Sequence, residues 1–96
     1  MDKKKAIAAL ASLAQGTRLD VFRLLVTTGP GGLPAGEIAA ELAVPPNTLS
    51  FHLTHLKVAG LVRSRRAGRQ MFYAADYGRS KSLIDYLTEN CCKGCA

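Results

Sequence analysis

The residues best suited to chemistry sit at one end of the chain. Cys91, Cys92 and Cys95 form the run Cys91-Cys92-Lys93-Gly94-Cys95, and no cysteine occurs elsewhere. A disulfide between sequence neighbours is badly strained. Pairing Cys92 with Cys95 would leave Cys91 over. Structural zinc wants four protein ligands, and no histidine lies nearby to complete a set of three thiolates. Three thiolates instead suit a soft, three-coordinate centre. Trivalent arsenic or antimony, held as a pyramid of three sulfurs, fits both the count and the clustering, and Gly94 lets the tail turn. The same thiols would also serve an oxidant or persulfide switch. An unstructured tail with incidental cysteines is the plainest alternative.

Other constellations carry less. His52 and His55 make an H-x-x-H pair, but no Glu follows the first His and no carboxylate or cysteine is near, so a zinc hydrolase is unsupported. The stretch Gly29-Pro30-Gly31-Gly32 lacks the Lys-Ser/Thr of a phosphate-cradling loop. No base adjoins a nucleophile, and we expect no enzyme.

Charge points elsewhere. The 96 residues hold 13 Lys and Arg against 7 acids, a net charge of +6. Between Ala43 and Ala75 there is no acid, while Lys57, Arg63, Arg65, Arg66 and Arg69 add five positive charges. A basic excess confined to one third of a small domain suits a polyanion-binding face. A solvated, charged hairpin would look the same. With 48% apolar and 21% charged residues, the composition is that of an ordinary soluble domain. The length suits one domain over residues 1–96 with a small core, for which dimerisation would bury further apolar surface. There is neither a membrane-length apolar run nor a visible signal peptide, so a cytoplasmic protein is expected.

The elements that must position these groups follow from periodicity. Ala6 to Ala14 reads as a helix with Ile7, Leu10, Leu13 and Ala14 on one buried face. Thr17 suits an N-cap for a second helix reaching Thr28, with Leu19, Val21, Phe22, Leu25 and Val26 inward. Pro34 suits the first turn of a third helix, Ala35 to Leu42. After Ala43-Val44-Pro45, a fourth helix runs from Pro46-Asn47 to about Ala59, closed by Gly60. Two helices joined by so short a turn make a helix-turn-helix candidate. The period then changes to two. Residues 61–65 and 70–74 read as strands of a hairpin around Arg66-Ala67-Gly68-Arg69. Ser80 to Asn90 is a last helix, with Leu83, Ile84, Tyr86 and Leu87 as its stripe. The fold class is mainly α with a small β-hairpin, in winged helix-turn-helix order.

On the fourth helix, Leu49, Leu53, Leu56 and Gly60 cluster within roughly 60° and define the buried side. Opposite lie Asn47, Phe51, Thr54 and Val58, flanked by Thr48, Ser50 and His55. Short polar side chains near the start of such a helix suit base reading in a major groove, and exposed Phe51 suits a thymine methyl or a protein partner. His52 would seat against the core edge or donate to a phosphate. The expected DNA-binding set is Asn47, Thr48, Ser50, Phe51, His52, Thr54, Lys57, Arg63, Arg66 and Arg69. If Lys57, Arg63, Arg66 and Arg69 each meet one phosphate, a dimer shows a slope of log K on log salt of about −7.

Several segments together resemble the arsenical-resistance repressor (ArsR) family of bacterial winged-helix regulators. They are Thr17-Arg18-Leu19, residues 36–42, the run Leu49-Ser50-Phe51-His52-Leu53-Thr54-His55-Leu56, Ala59-Gly60-Leu61-Val62, and the hairpin at 63–73. Leu87-Thr88-Glu89-Asn90-Cys91-Cys92 looks like the end of an arsenic-responsive branch. The resemblance implies a homodimer held by its first and last helices, bound to double-stranded operator DNA until an inducer ion releases it. The C-x-C pair that many arsenic-sensing relatives carry in the third helix is absent, and the last helix lacks the His of the zinc-sensing branch. Gln15-Gly16 replaces the common Asp-Pro before Thr17. The inducer site then falls to Cys91, Cys92 and Cys95 in the tail 91–95, with arsenite, As(III), or Sb(III) as inducer. The alternatives are a winged-helix thiol redox or persulfide sensor and a metalloid or metal carrier without DNA function.

Overall fold

The computed structural model describes residues 1–94. Five helices and three short strands follow in the order α1 (Lys3–Leu13), α2 (Gly16–Thr28), β1 (Leu33–Pro34), α3 (Ala35–Leu42), α4 (Pro46–Val58), β2 (Val62–Ala67), β3 (Gln70–Ala75) and α5 (Tyr77–Thr88). The sheet is antiparallel in the order β1-β3-β2. It is a winged helix-turn-helix, as the order of periods predicts. No helix among the described residues is long and apolar enough to cross a membrane.

The core is assembled around α2 and α4. Val21 and Leu25 of α2 and Leu49, Leu53 and Leu56 of α4 are buried, with Ile38 of α3 and Leu61 before the wing. Each such aliphatic side chain contributes about 1.5–3 kcal/mol on leaving water. The turn between α3 and α4 is closed by Ala43 in the left-handed region and by Val44 N–H donating to Ala39 O at 3.0 Å. Pro45 and Pro46 then start α4, where a missing N–H costs nothing.

Two helical faces differ from expectation. On α1 the buried residues are Ala6, Ala9 and Ser12, while Ile7 and Leu10 are exposed. Small side chains let α1 lie close against its neighbours, and the bulky ones are turned outward. On α2, Leu19 and Val26 are exposed and only Val21 and Leu25 are fully buried. Its N-cap is Gln15, whose side chain accepts from Arg18 N–H, rather than Thr17. In each case the apolar period is wider than the face the chain itself covers.

The remaining differences concern boundaries. Leu33 and Pro34 pair with Tyr73 and Phe72, adding a strand before α3. The hairpin is longer, and Ala67 pairs with Gln70 so that only Gly68-Arg69 form the turn. α5 starts earlier, at Tyr77, capped by Asp76 accepting from Arg79 N–H. The Tyr77 hydroxyl donates to Val26 O at 2.8 Å and ties this helix to the end of α2.

Gly32 permits the close approach of β1 to β3: at φ +74°, a Cβ there would collide with the Tyr73 backbone carbonyl. Gly68 has φ +64° but open space around it. Any alanine at such a φ costs about 1–2 kcal/mol. Gly32→Ala is therefore expected to lower the urea midpoint well beyond the effect of Gly68→Ala. Equal losses at the two sites would contradict the close-approach account.

Candidate nucleic-acid interface

Burying Leu49, Leu53 and Leu56 turns the other side of α4 to solvent. Asn47, Thr48, Ser50, Phe51, Thr54 and Lys57 are all exposed, as are His55 and Val58. No side chain caps the start of this helix, so its first N–H groups and the positive end of its dipole face outward. Three short polar side chains, Asn47, Thr48 and Ser50, surround that end.

Phe51 behaves differently from its polar neighbours. It is 64% exposed, with its ring edge-on to His52 and His55. With Thr54, His55 and Val58 it walls an apolar groove of about 420 Å³, whose other side is Ala8 and Ala11 of α1. One half of the exposed α4 face is thus polar, and the other half is apolar.

His52 does not belong to the exposed set. It is 8% exposed, and its Nδ1 lies 3.3 Å from a terminal nitrogen of Arg18. Arg18 can only donate, so Nδ1 accepts and the ring is neutral with its proton on Nε2. Burial above all, then the charge of Arg18 and the nearby His55, hold His52 below its ordinary range. Of its two expected placements, against the core edge or donating to a phosphate, the ring takes the first, on the leucine side of α4. His55 meets the hydroxyl of buried Ser12 at 3.1 Å, and neither histidine belongs to a cluster of His, Cys, Asp or Glu among the described residues that could hold a metal.

The wing divides its arginines. Arg63 and Arg65 share the face opposite Ala74 and Phe72, Arg66 points to the other face opposite Met71, and Arg69 is in the turn. Arg63, Arg66 and Arg69 are exposed. Arg65 is committed: its guanidinium sits 4.6 Å above the Phe72 ring and donates to Gly31 O at 3.0 Å. That cation–π contact and hydrogen bond make it a strut between the wing and the α2–β1 loop.

Beyond α5, Cys91 N–H donates to Thr88 O at 2.8 Å, which holds Cys91 close to the helix end. The Cys91 and Cys92 sulfurs lie 3.5 Å apart, both exposed. Two thiols that converge in this way can reach one soft atom together. Cys95, the third member of the expected set, lies outside the described residues. Sequence reading missed Arg18 and Ser12 as elements of the site and counted Arg65 only among the basic charges, not as a strut. Arg18 had a signal only in the Thr17-Arg18-Leu19 resemblance, and nothing in periodicity marks the other two.

Comparison with known proteins places this geometry. Residues 13–65, more than half of the chain, match the helix-turn-helix domain family. An uncharacterized HTH-type transcriptional regulator of Methanocaldococcus jannaschii is 34% identical over 86 residues, 90% of this chain and 94% of that protein. An ArsR-like transcriptional regulator from Rhodococcus sp. RHA1 superposes with a TM-score of 0.81 at 24% identity, covering 94% of this chain and 82% of that one. The homodimeric winged helix-turn-helix DNA-binding domain of a Mycobacterium bovis protein gives 0.71 at 28% identity, over 91% of this chain and 81% of that one. The chain belongs to the helix-turn-helix domain family, which it shares with an HTH-type transcriptional regulator, and its fold is the winged helix seen in ArsR-like regulators.

Proposed function

We propose that the protein is a transcriptional repressor that binds double-stranded operator DNA as a homodimer and is released by trivalent arsenic. The observation that carries the DNA-binding part is the uncapped, polar N-terminal end of α4 beside a hairpin whose Arg63, Arg66 and Arg69 are free. In this reading Asn47, Thr48 and Ser50 meet base edges or the phosphates flanking them, Thr54 and Phe51 lie further along the groove, and Lys57 and the wing arginines meet phosphates. Phosphate contacts supply affinity and register, while the short side chains on α4 supply sequence preference.

A second copy fits the exposed apolar residues of α1 and α5. Ile7, Leu10, Ile84 and Leu87 are each 42% to 60% exposed, more apolar surface than two small helices normally leave in water. Pairing through these helices sets the distance between the two α4 helices, which must match half-sites about one DNA turn apart. The Mycobacterium bovis neighbour is homodimeric, which supports a dimer here.

The inducer reading rests on the thiols. Cys91 and Cys92 present two converging sulfurs, and Cys95 would supply the third bond of a pyramidal As(III) or Sb(III) centre. Binding replaces the three hydroxyls of As(OH)3 by three sulfurs, each hydroxyl leaving as water with a thiol proton, and would gather residues 91–95 into one loop. The last turn of α5, with Leu87, leads directly into that loop. A shift there would change how the two copies meet, and a coupling of about 1–3 kcal/mol is typical of such regulation.

Three outcomes are expected. In gel shifts or anisotropy across a salt series, the slope of log K on log salt is about −7, and Arg66→Ala or Arg69→Ala reduces it by about 0.9 per lost contact. Arg65→Ala changes the slope less, because its guanidinium is already engaged. Second, Ile84→Glu is expected to shift the protein to monomer in analytical ultracentrifugation; an unchanged dimer would place the interface elsewhere. Third, arsenite dissolves the complex with the DNA upstream of the protein's own coding sequence, and Cys→Ser at 91, 92 or 95 abolishes that response. Release by peroxide with indifference to arsenite would replace the metalloid reading with a redox one.

A further inference from the structure

Arg18 lies outside both the exposed α4 face and the wing, yet its side chain joins three helices. It stands in the first turn of α2. Its Nε donates to Ser12 O at 2.7 Å, and a terminal nitrogen donates to His52 Nδ1 at 3.3 Å. Ser12 O is in the last turn of α1, where carbonyls have no partner within the helix. One guanidinium fork therefore satisfies the end of α1 and grips the middle of α4. Ser12 adds a second link, since its hydroxyl meets His55 one turn further along α4. The bonds run between α1, which carries exposed Ile7 and Leu10, and α4, which carries the polar end.

We propose that Arg18 is a positioning residue for DNA binding: it fixes α4 relative to α1 by holding Ser12 O and neutral His52 together, so operator binding requires His52 to be unprotonated. This inference rests on the DNA-binding reading above. A planar fork with fixed donors can hold two acceptors at a set angle, whereas an ammonium is a single point of attachment. The acceptor is the vulnerable partner. An imidazolium has two donors and no acceptor, so adding a proton to His52 replaces the bond with two cations in contact.

Nothing nearby would stabilise that added charge. Among the elements packed on α4, α2 presents Arg18 and α1 presents the neutral Ser12, while His55 faces the ring from α4 itself. Asp20 and Arg23 of α2 and Glu37 and Glu41 of α3 are exposed, as are the charged residues of α1 and β2. Held below its ordinary 6.5 in the folded state, His52 leaves stability intact above that pH. The contribution is withdrawn as the pH falls from there through the folded-state value. DNA binding that needs the same neutral ring weakens in the same direction. Simple electrostatics predicts the opposite, because acid adds positive charge to a DNA-binding surface.

The test is fluorescence anisotropy of the full chain on a labelled duplex from upstream of its coding sequence, between pH 8 and pH 5. Wild-type affinity is expected to fall with acid, by up to about tenfold per pH unit for each protomer and so up to about a hundredfold for the dimer, once His52 titrates. His52→Asn keeps a neutral acceptor where Nδ1 was; whatever its affinity at pH 7.5, it should lose the acid limb. Arg18→Lys should bind about tenfold more weakly at pH 7.5, the equivalent of one hydrogen bond to a charged group. Thermal melts check that each variant is folded, and His52→Asn carries the test should Arg18→Lys fail to fold. An identical acid limb in His52→Asn, or wild-type affinity that rises steadily with acid, would overturn the positioning role while leaving DNA binding intact. Absence of duplex binding by wild type at every pH would overturn both.

Discussion

The burial of three leucines on one side of α4 is the constraint from which the rest of this structure follows. Leu49, Leu53 and Leu56 are spaced to face the core, and they are almost completely withdrawn from water. A helix has only one such side, so Asn47, Thr48, Ser50 and Thr54 must be presented outward. The other elements then serve to hold α4 at a fixed depth and rotation. Val21 and Leu25 of α2 meet it in the core, α3 leads into it through a three-residue turn, and Leu61 and Val62 carry the wing away from its far end. Polar links refine what the leucines begin, because hydrophobic contact is non-directional and cannot by itself select a rotation. The hydrogen bonds that link Arg18 and Ser12 with the two imidazoles have direction.

Much of this was legible in the sequence. The α4 stripe, the change of period after Gly60 and the acid-free stretch from Ala43 to Ala75 are strong local signals, and they gave the fold class and the exposed residues of α4. The failures on helix faces share one cause. Ile7, Leu10, Leu19 and Val26 are spaced like core residues but are exposed in a single chain. Periodicity reports that a face is apolar and says nothing about which molecule covers it. On α1 the true packing face is alanine and serine, which no hydropathy pattern marks as core. β1 was missed because two residues have no period to read, and its existence depends on Gly32 clearing the Tyr73 carbonyl.

His52 shows the limit for individual side chains. Its position on the wheel lies at the edge between buried and exposed, so spacing alone leaves both a phosphate and a core-edge seat open. The deciding contact comes from Arg18, 34 residues earlier. Long-range polar contacts of this kind have no signature within a window of sequence. The same holds for Arg65, indistinguishable by type from Arg63 and Arg66, which is separated from them by its ring and carbonyl partners.

The Arg65 strut has a kinetic and entropic consequence for recognition. A free two-stranded ribbon is marginally stable and samples many orientations. Ordering rotamer-rich side chains and loops at an interface costs about 0.5–1.5 kcal/mol for each one immobilised. By clamping the hairpin to the α2–β1 loop through Arg65 and Phe72, this chain restricts the ribbon before any partner arrives. Only the tip around Gly68 and Arg69 is left to adapt. In the proposed DNA complex the wing would arrive as a largely preorganised arm, so more of its electrostatic attraction would survive as affinity.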